Sequence, residues 1–408
     1  MIRELHTKVC IIGAGPAGAT TAIFLGKEKV EHIIIDVATF PRDKTCGDGL
    51  DLKAIAVLNN IDKNIIAEEI KPNGRIIASY GFRIITTKGK NVEFNYKPTA
   101  EQLPPYGTSK RIDFDNLLIE KLNTTYTNFL QATKATSIIR VNEKWEIIAQ
   151  QKEQTIKIIC DLLVGADGDH SIVLKTIGER KIDRNHYSAG VRQYWQGIAN
   201  THQNNLMEVY FPKEYPMSYF WIFPLKNGLS NVGYGMQSNV AAKYNYNVKE
   251  IFSSLIKNDK NLQDRFNAAT PQESIKGWGI PFASLQRKCF GNGWLLVGDA
   301  ASMISPTTGE GIGTGMTTGL IAAQFIKRAV EQNKFDESVF KNYDREIYKR
   351  TNDDIKLYKL SLWISPKFMG WAMNTFINLN FFQKFFHKKV GQWINSAYNK
   401  ELKVNLDD

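Results

Sequence analysis

The sequence predicts an α/β fold, and three features of its N-terminal stretch support this prediction. An apolar and mostly β-branched run at residues 9–12 indicates a buried strand. It is followed by Gly13, Gly15 and Gly18 in the spacing G-x-G-x-x-G. A second apolar run, Ile33 to Ile35, ends in Asp36. Strand, glycine-rich turn, helix, second strand and terminal acid together indicate a Rossmann-like dinucleotide-binding unit.

Each residue of this motif has its own physical role. Gly13 permits the tight turn out of the strand, Gly15 lets the backbone approach a pyrophosphate, and Gly18 lets the new helix pack on the strand. The helix N-terminus offers free N–H groups and the positive end of its dipole to the phosphates. Asp36 can accept hydrogen bonds from ribose hydroxyls.

Length and charge limit the possible classes of protein. A chain of 408 residues suits two domains, or one domain with a sizeable insertion. The net charge of +11 would suit a nucleic acid, an anionic membrane surface or an acidic substrate. No nucleic-acid-binding motif is present in the sequence, so we expect no nucleic-acid partner.

The cysteines and the termini indicate the compartment. The four cysteines, at positions 10, 46, 160 and 289, show neither paired nor metal-ligand spacing, so we predict no metal site and a reducing cytoplasm. The N-terminus passes almost directly into the first strand, which leaves no room for a signal peptide. No uninterrupted apolar stretch reaches the roughly 20 residues that a spanning helix needs. We expect a cytoplasmic protein, with a peripheral position on the inner face of the cell membrane as a further option.

The first half of the chain alternates between loops, strands and helices. Proline and glycine mark a loop at residues 40–50, and alternation at residues 74–98 indicates strands of an antiparallel sheet. Residues 110–122 have helical periodicity, and residues 135–160 indicate a hairpin around Asn142 and Glu143. The hairpin leads to a buried strand at residues 162–164.

The second half begins with a stretch rich in aromatic residues. Residues 190–235 alternate in a way that predicts a second antiparallel sheet with one ligand-facing side. Residues 246–267 have a helical pattern, and residues 294–297 indicate another short buried strand. Residues 306–319 are rich in glycine and open a long helix, and the pattern is helical from about residue 335 onward.

Two further strand ends accompany the N-terminal nucleotide motif. Asp167 and Gly168 follow one buried strand, and Gly298 and Asp299 follow another. An aspartate at a strand end beside glycine can bond a ribityl or ribose hydroxyl while the backbone comes close. The run G-E-G-I-G at residues 309–313 offers backbone N–H groups at a helix start.

With these motifs, residues 5 to about 330 resemble a flavoprotein group that includes aromatic hydroxylases, flavin-dependent halogenases and geranylgeranyl reductases. The resemblance implies a fold like that of p-hydroxybenzoate hydroxylase, and FAD as the cofactor. Asp299 would face the ribityl chain, with Gly311 and Ile312 near the isoalloxazine, and Arg111 matches an arginine that touches the FAD phosphates or ribityl in this group. The FAD contacts that we predict are Gly13, Gly15, Pro16, Ala17, Gly18, Asp36, Arg42, Cys46, Gly47, Arg111, Asp167, Gly168, Gly298, Asp299, Pro306, Gly309, Gly311 and Ile312.

Two stretches favour the geranylgeranyl reductases within this group. P-R-D-K-T-C-G-D-G at residues 41–49 looks like their loop with a C-G pair. The stretches 216–224 and 231–235 look like their Y-x-W-x-F-P and N-V-G-x-G signature. Tyr219 and Phe223 stand where halogenases of the group carry Trp and Ile. One departure is Asp36, where many relatives have Glu.

The aromatic strand supplies the candidate substrate wall. Alternation puts Tyr219, Trp221 and Phe223 on one face of the sheet, with Phe220 and Ile222 opposite. Packing of the same aromatics as plain core remains the alternative. The predicted catalytic residues are Cys46, Tyr219 and Trp221, and the predicted substrate contacts are Tyr194, Tyr219, Trp221, Phe223, Pro224 and Trp278.

The resemblance implies a reductase that saturates isolated C=C bonds of a prenyl or polyprenyl lipid. Cys46 would donate the proton or position the substrate, and the external electron donor would be NAD(P)H or a ferredoxin-like protein. A hydroxylase of the same fold acting on an apolar or aromatic substrate is the main alternative. A halogenase and a lipid-binding flavoprotein without activity are the others.

The expected domain organisation is discontinuous. Residues 1–73, 99–180 and 281–330 would form the FAD-binding domain, residues 74–98 and 181–280 an antiparallel substrate domain, and residues 331–408 a set of C-terminal helices. Residues 356–400 contain seven lysines, many aromatics and no acid. This composition suits the plane of an anionic membrane, and it equally suits a helical layer packed on the flavin domain or on a partner subunit.

Overall fold

A computed structural model describes residues 2–86, 88–96, 103–180, 182–361, 388 and 404–406. These residues form 19 strands and 12 α-helices. The strands are β1 Arg3–Ile12, β2 His32–Ile35, β3 Gly49–Leu50, β4 Ile77–Ser79, β5 Gly81–Ile85, β6 Asn91–Asn95, β7 Tyr106–Thr108, β8 Thr127–Leu130, β9 Thr133–Val141, β10 Lys144–Gln151, β11 Gln154–Gly165, β12 Tyr187–Gln196, β13 Met207–Tyr210, β14 Ser218–Pro224, β15 Leu229–Gln237, β16 Thr270–Pro271, β17 Lys276–Pro281, β18 Phe290–Gly291 and β19 Trp294–Leu296. The helices are α1 Pro16–Lys27, α2 Leu52–Ile61, α3 Ile65–Glu69, α4 Arg111–Glu120, α5 Ile172–Thr176, α6 Ser238–Lys243, α7 Val248–Asn258, α8 Gln263–Phe266, α9 Ile312–Gln332, α10 Glu337–Phe340, α11 Tyr343–Lys349 and α12 Asn352–Ser361.

The first sheet has eight strands and contains the predicted βαβ unit. Its main path runs β18-β19-β11-β1-β2-β8, and β19, β11, β1, β2 and β8 are mutually parallel along it. The carboxyl-terminal parts of β1 and β11 and the whole of β2 are buried and mostly apolar, as expected for parallel strands that are covered on both faces. Helices α1 and α9 pack together so closely that a Cβ atom at Gly319 would clash with the backbone of Ala17.

A hairpin extends this sheet beside the first half of β11. Strands β9 and β10 are antiparallel, and β10 pairs with β11. The two residues between them, Asn142 and Glu143, both have positive φ, at 47° and 67°. Positive φ at both central positions is the geometry that a two-residue hairpin turn requires, so the predicted hairpin is confirmed.

The second sheet also has eight strands, and it is antiparallel except for one pair. Its main path runs β16-β12-β15-β14-β13-β5-β6, β17 pairs with β12, and β13 runs parallel to β5. Strand β4, at the start of the stretch that alternation assigns to this sheet, instead joins β7 and β3 in a three-stranded sheet.

The two faces of β14 divide as alternation predicts. The rings of Tyr219 and Trp221 lie 5.7 Å apart, and those of Trp221 and Phe223 lie 6.3 Å apart. On the opposite face Phe220 is fully buried and stacks on Phe252 of α7 at 5.7 Å. Helix α7 therefore covers one side of the sheet, and Tyr219, Trp221 and Phe223 lie on the other side.

The chain after residue 335 is helical as far as the structure describes it continuously. Helices α10, α11 and α12 follow one another up to Ser361. Most of the segment 356–400, for which the sequence leaves a membrane-facing and a packing role open, lies outside the described residues. Within the described part of the chain, no helix combines the length and the apolar character needed to cross a bilayer.

Candidate active site

An open cavity of about 880 Å³ lies between the two large sheets. One side is formed where the parallel strands end, at Gly15, Gly168 and Asp299, which follow β1, β11 and β19. The other side is formed by β12, β14 and β17 of the second sheet, with Trp221 and Trp278 among the lining residues. Ligands of open α/β sheets bind at the carboxyl ends of the strands.

The three glycines of the N-terminal motif have different surroundings. A Cβ atom at Gly13, whose φ is 104°, would clash with the carbonyl oxygen of Ala166. A Cβ atom at Gly18 would clash with the carbonyl of Gly13. At Gly15 the nearest atom would be a guanidinium nitrogen of Arg42, 3.7 Å away. Gly13 and Gly18 thus serve the packing of the turn, whereas Gly15 borders the cavity and leaves space there for a phosphate group.

Asp36 braces the glycine-rich turn. Its two carboxylate oxygens accept hydrogen bonds from the backbone N–H groups of Ala14, at 2.7 Å, and Ala38, at 2.8 Å. A carboxylate has about four acceptor positions, so capacity remains for ribose hydroxyls. The described residues that line the cavity do not include Asp36.

The other two strand ends differ from each other. Gly168, with a φ of 77°, and Asp299 both line the cavity, and Lys44 Nζ lies 3.8 Å from the Asp299 carboxylate. Asp167, by contrast, accepts hydrogen bonds from the N–H groups of Ile172, at 2.6 Å, and Val173, at 3.3 Å. Its carboxylate therefore caps the start of α5. The turn that ends the strand also begins a helix, and the free N–H groups of that helix bond Oδ2 of Asp167. The role of Asp167 as an FAD contact stays a prediction.

The glycine-rich run before α9 closes one end of the cavity. Gly309, Gly311 and Ile312 line it, together with Gly298 and the predicted N-terminal residues Pro16 and Ala17. Pro306 is outside the described lining. The N-terminus of α9 therefore opens toward the same space as that of α1, as expected for a site that takes an anionic or carbonyl-bearing group.

A buried aspartate joins the two predicted arginines. Arg111 donates through Nε and Nη2 to the two oxygens of Asp115, both at 2.6 Å, and Arg42 Nη1 lies 2.6 Å from Asp115 Oδ2. Arg111 lines the cavity, whereas Arg42 is not among the described residues of the lining. Sequence reasoning missed Asp115, although its spacing of four residues from Arg111 on α4 is the spacing of helical ion pairs.

Cys46 lines the cavity within the loop that also contributes Lys44, Thr45 and Gly47. Burial raises the pKa of the Cys46 thiol, the nearby Arg111 guanidinium opposes this, and the Asp48 carboxylate adds to it. The effect of burial is the largest of these, so the thiol is protonated at neutral pH.

A hydrogen-bonded network that the sequence did not predict lies behind Cys46. Asp48 Oδ2 accepts from the Tyr194 hydroxyl at 2.7 Å and from Asn231 Nδ2 at 2.9 Å. Asn231 also donates to the backbone carbonyl of Cys46 at 2.7 Å and accepts from Trp221 Nε1 at 2.9 Å. The loop with the thiol and the aromatic wall are thereby joined through one buried amide.

The predicted substrate residues separate into two groups. Trp221 and Trp278 line the cavity, and Lys44 Nζ lies 5.2 Å from the centre of the Trp278 ring. The cavity lining, as far as the structure describes it, omits the others, which are Tyr194, Tyr219, Phe223 and Pro224. Each has another contact in the structure. Tyr194 bonds Asp48, and the Tyr219 hydroxyl donates to the carbonyl of Thr308 at 2.9 Å. Phe223 packs against the loop at Gly49, and the Pro224 carbonyl accepts from the Thr108 hydroxyl at 2.5 Å.

A buried arginine also lines the cavity, and sequence reasoning missed it. The Arg192 side chain on β12 is 1% exposed and pairs with Glu273 and, at 2.8 Å, with Asp43. Lys276 joins the same two acids, at 3.2 Å to Asp43 and 2.7 Å to Glu273. This cluster ties the loop with Cys46 to the second sheet.

The parallel sheet, the glycine-rich turns at its strand ends and the cavity between two sheets define an α/β flavoprotein with a separate substrate-facing sheet. The chain belongs to the FAD binding domain family, whose model matches residues 6–352. FAD is therefore the cofactor, and the fold class and the family resemblance predicted from the sequence are confirmed.

Named relatives have similar lengths. A menaquinone reductase of Mycobacterium tuberculosis is 27% identical over 323 residues, covering 78% of this chain and 76% of the relative. A digeranylgeranylglycerophospholipid reductase of Methanocaldococcus jannaschii is 27% identical over 347 residues, covering 84% and 83%. An uncharacterized protein of Methanosarcina barkeri is 30% identical over 374 residues, covering 91% and 86%.

Solved structures share the fold. A geranylgeranyl bacteriochlorophyll reductase-like protein from Thermoplasma acidophilum superposes with a TM-score of 0.79 at 20% identity, covering 97% of each chain. A flavin-dependent brominase superposes with a TM-score of 0.76 at 19% identity, covering 97% of this chain and 94% of its own. At such identities the likeness concerns the fold alone.

Proposed function

We propose that the protein is an FAD-dependent reductase that saturates isolated C=C bonds in the prenyl chain of a lipid. The observation that carries the proposal is the position of the partly buried Cys46 thiol in the cavity that the FAD-binding motifs border, together with the rise of its pKa that desolvation causes. An isolated alkene needs a proton as well as a hydride, and a neutral thiol beside the reacting carbon can supply it. Two relatives, a menaquinone reductase and a digeranylgeranylglycerophospholipid reductase, support the choice of a prenyl substrate.

The residues around the cavity are suited to hold FAD. The free space at Gly15, the positive φ of Gly168 and the carboxylate of Asp299 suit a pyrophosphate and a hydroxylated chain. When bound and reduced, FAD supplies the hydride that reaches one carbon of the double bond. Electrons for the next turnover come from an external donor, for which NAD(P)H and a ferredoxin-like protein are the candidates.

The chain's own residues bind the alkene and supply the proton. Trp221, Trp278 and Ile280 provide apolar surface that binds an isoprenoid chain and excludes water. Cys46 gives its proton to the second carbon of the double bond as the hydride reaches the first. The Arg111 guanidinium and the backbone N–H of Asp48 lower the pKa of the thiol and so favour the thiolate that remains. The thiolate regains its proton before the next turnover.

The lipid substrate also explains the basic charge of the chain. A prenyl lipid is nearly insoluble in water, so an enzyme that reduces it collects it at a bilayer, and a net charge of +11 favours an anionic surface. We therefore propose a peripheral position on the inner face of the cell membrane. Flotation with anionic liposomes tests it. The full chain is expected to float and a chain ending at Asp354 to remain behind, whereas equal behaviour of the two would remove the C-terminal segment from membrane binding.

The experiment that tests the function uses the flavin-loaded protein without oxygen. We expect the chemically reduced flavin to be reoxidised by a digeranylgeranyl lipid or menaquinone, and mass spectrometry to show two added hydrogens for each bond. Cys46→Ala should retain FAD and reoxidise it far more slowly, and Cys46→Ser is the matched variant that keeps the size and lacks an acidic proton.

Each contrary outcome identifies an alternative. Product that contains added oxygen, and forms only in air, would replace the reductase with a hydroxylase. Incorporation of a halide in air would indicate a halogenase. Bound flavin that no lipid reoxidises would indicate a lipid-binding flavoprotein, and full activity of Cys46→Ala would leave the proton to water.

A further inference from the structure

The loop that carries Cys46 also carries a buried aspartate that the proposed reaction does not use. Asp48 is fully buried and has a φ of 62°. Its Oδ2 atom accepts the two hydrogen bonds from Tyr194 and Asn231, and its Oδ1 atom finds no donor in the part of the chain that the structure describes. A buried carboxylate with an oxygen that lacks a donor is costly, so a compensating role for this residue is expected.

The charges around Asp48 and Cys46 come from several elements. Arg111 at the start of α4 faces both groups. Arg192 on β12 faces Asp48, and Tyr219 on β14 faces Cys46. Of the charges that act on the thiol, the Arg111 guanidinium favours the thiolate, and the Asp48 carboxylate, two residues along the same loop, favours the thiol.

We propose that Asp48 is the positioning residue of the site. Its carboxylate offsets the positive charge of Arg111 at the Cys46 thiol, and through Asn231 it links the Cys46 loop to Trp221. The importance of this thiol for catalysis rests on the proposed function, whereas the effect of Asp48 on the thiol is independent of any substrate.

The ionisation of Asp48 supports this role. Burial raises the pKa of Asp48 to about 6, while the hydrogen bonds from Asn231 and Tyr194 lower it. The carboxyl is therefore mainly ionised at neutral and basic pH, in the range where Cys46 begins to lose its proton. The negative charge of Asp48, which favours the neutral thiol, is therefore present in the pH range where Cys46 titrates.

The variant that tests the proposal is Asp48→Asn. Asparagine tolerates positive φ, and its single carbonyl oxygen can accept from both Tyr194 and Asn231, so the loop is expected to fold. Asp43→Asn is the matched control, because Asp43 belongs to the same loop and faces Arg192 and Lys276 instead of the thiol. Asp48→Ser is a second variant that removes the charge with a smaller side chain.

The measurement is the rate of Cys46 alkylation by iodoacetamide against pH, in flavin-free protein, read by peptide mass spectrometry. Loss of one nearby charge shifts a pKa by about one unit or more, so we expect the midpoint in Asp48→Asn to fall by about one pH unit. At a fixed pH below that midpoint, alkylation would be about tenfold faster, since the thiolate is the reactive form. Asp48→Ser should shift the midpoint in the same direction, and Asp43→Asn should match the wild type.

An unchanged or higher midpoint in both Asp48 variants would overturn the proposal, and so would an equal fall in Asp43→Asn. In the flavin-loaded enzyme, the basic limb of the pH profile of kcat should move with the thiol midpoint, while KM for the lipid changes little. A shifted thiol midpoint without any lipid reduction would contradict the proposed function and leave the role of Asp48 intact. Lipid reduction together with an unshifted thiol midpoint would support the proposed function and contradict the role of Asp48.

Discussion

Removing the charge of Asp115 is the strongest single test of the ion pairs that stabilise the site. The Asp115 carboxylate is 0% exposed and lies against three guanidinium nitrogens, two from Arg111 and one from Arg42, each at 2.6 Å. Asp115→Asn keeps the shape of the side chain and removes its charge. The Arg111 side chain, only 5% exposed, then remains buried without a counter-charge, whereas Arg42, at 16%, has some access to water.

The expected loss in the free energy of unfolding can be estimated from the usual contribution of buried ion pairs. Removing one partner of a buried ion pair costs about 3–5 kcal/mol, because the other charge stays buried and unpaired. Partial access of Arg42 to water puts Asp115→Asn near the lower end, at about 3 kcal/mol. The matched control is Asp62→Asn, which removes the same kind of charge from Lys121 directly after α4. That pair, 3.0 Å long, is about one third exposed on both sides, so about 0–1 kcal/mol is expected.

Urea unfolding of the flavin-free proteins, followed by tryptophan fluorescence, measures both free energies. Flavin titration of the same samples is a second readout, because Arg111 lines the cavity and loses its fixed orientation in Asp115→Asn. A loss below about 1 kcal/mol, no larger than that of the exposed control, would refute the reasoning. Unchanged flavin affinity together with a large loss of stability would restrict Asp115 to a structural role.

Three other variants test separate parts of the structure. Gly15→Val should leave the urea midpoint unchanged, because φ is −67° and the space is open, but it should weaken FAD at least about tenfold in a fluorescence titration; wild-type affinity would contradict the placement of the cofactor at this turn. Burial and the neighbouring Asp51 carboxylate raise the pKa of Glu310 to about 8. The folded state then binds more protons than the unfolded chain between about pH 4.5 and 8, so stability falls as pH rises through this range. Glu310→Gln should flatten the fall in urea midpoints of flavin-free protein between pH 5.5 and 8.5, and an equal fall in both proteins would be the contrary result. Phe220→Ala, at a fully buried ring stacked on Phe252, should cost about 3–5 kcal/mol by urea unfolding; a cost under about 1 kcal/mol would mean that the second sheet repacks.

The parts of the fold that could be predicted are those that short stretches of sequence determine. The βαβ unit follows from glycine spacing and an apolar run, and the hairpin at Asn142 follows from local alternation and turn chemistry. The two faces of β14 follow from the period of two along a strand. Alternation says which residues share a face, yet it does not say whether a given side chain reaches the cavity. Trp221 therefore lines the cavity, while Phe223 on the same face packs against the loop.

The site network depends on contacts between distant parts of the chain. Asn231 and Asp48 are 183 residues apart, and a period or a motif in one stretch has no information about the other. Asp167 shows a different limit, since an Asp-Gly pair after a strand suits both a ligand contact and a helix cap, and here it caps α5. Asp115 lies within reach of sequence reasoning, because its spacing from Arg111 is local.

The order of strands in the first sheet has a consequence for synthesis of the chain on the ribosome. Strand β11 ends at Gly165, but its neighbour β19 begins only at Trp294, about 130 residues later. Synthesis proceeds at roughly 5–20 residues per second, so the apolar edge at Leu162 to Val164 stays unpaired for between about 6 and 26 seconds before β19 is made. A nascent chain ending near residue 290 is therefore expected to aggregate and to retain no flavin. Monodisperse behaviour of that chain in sedimentation would show that the edge is protected by other means.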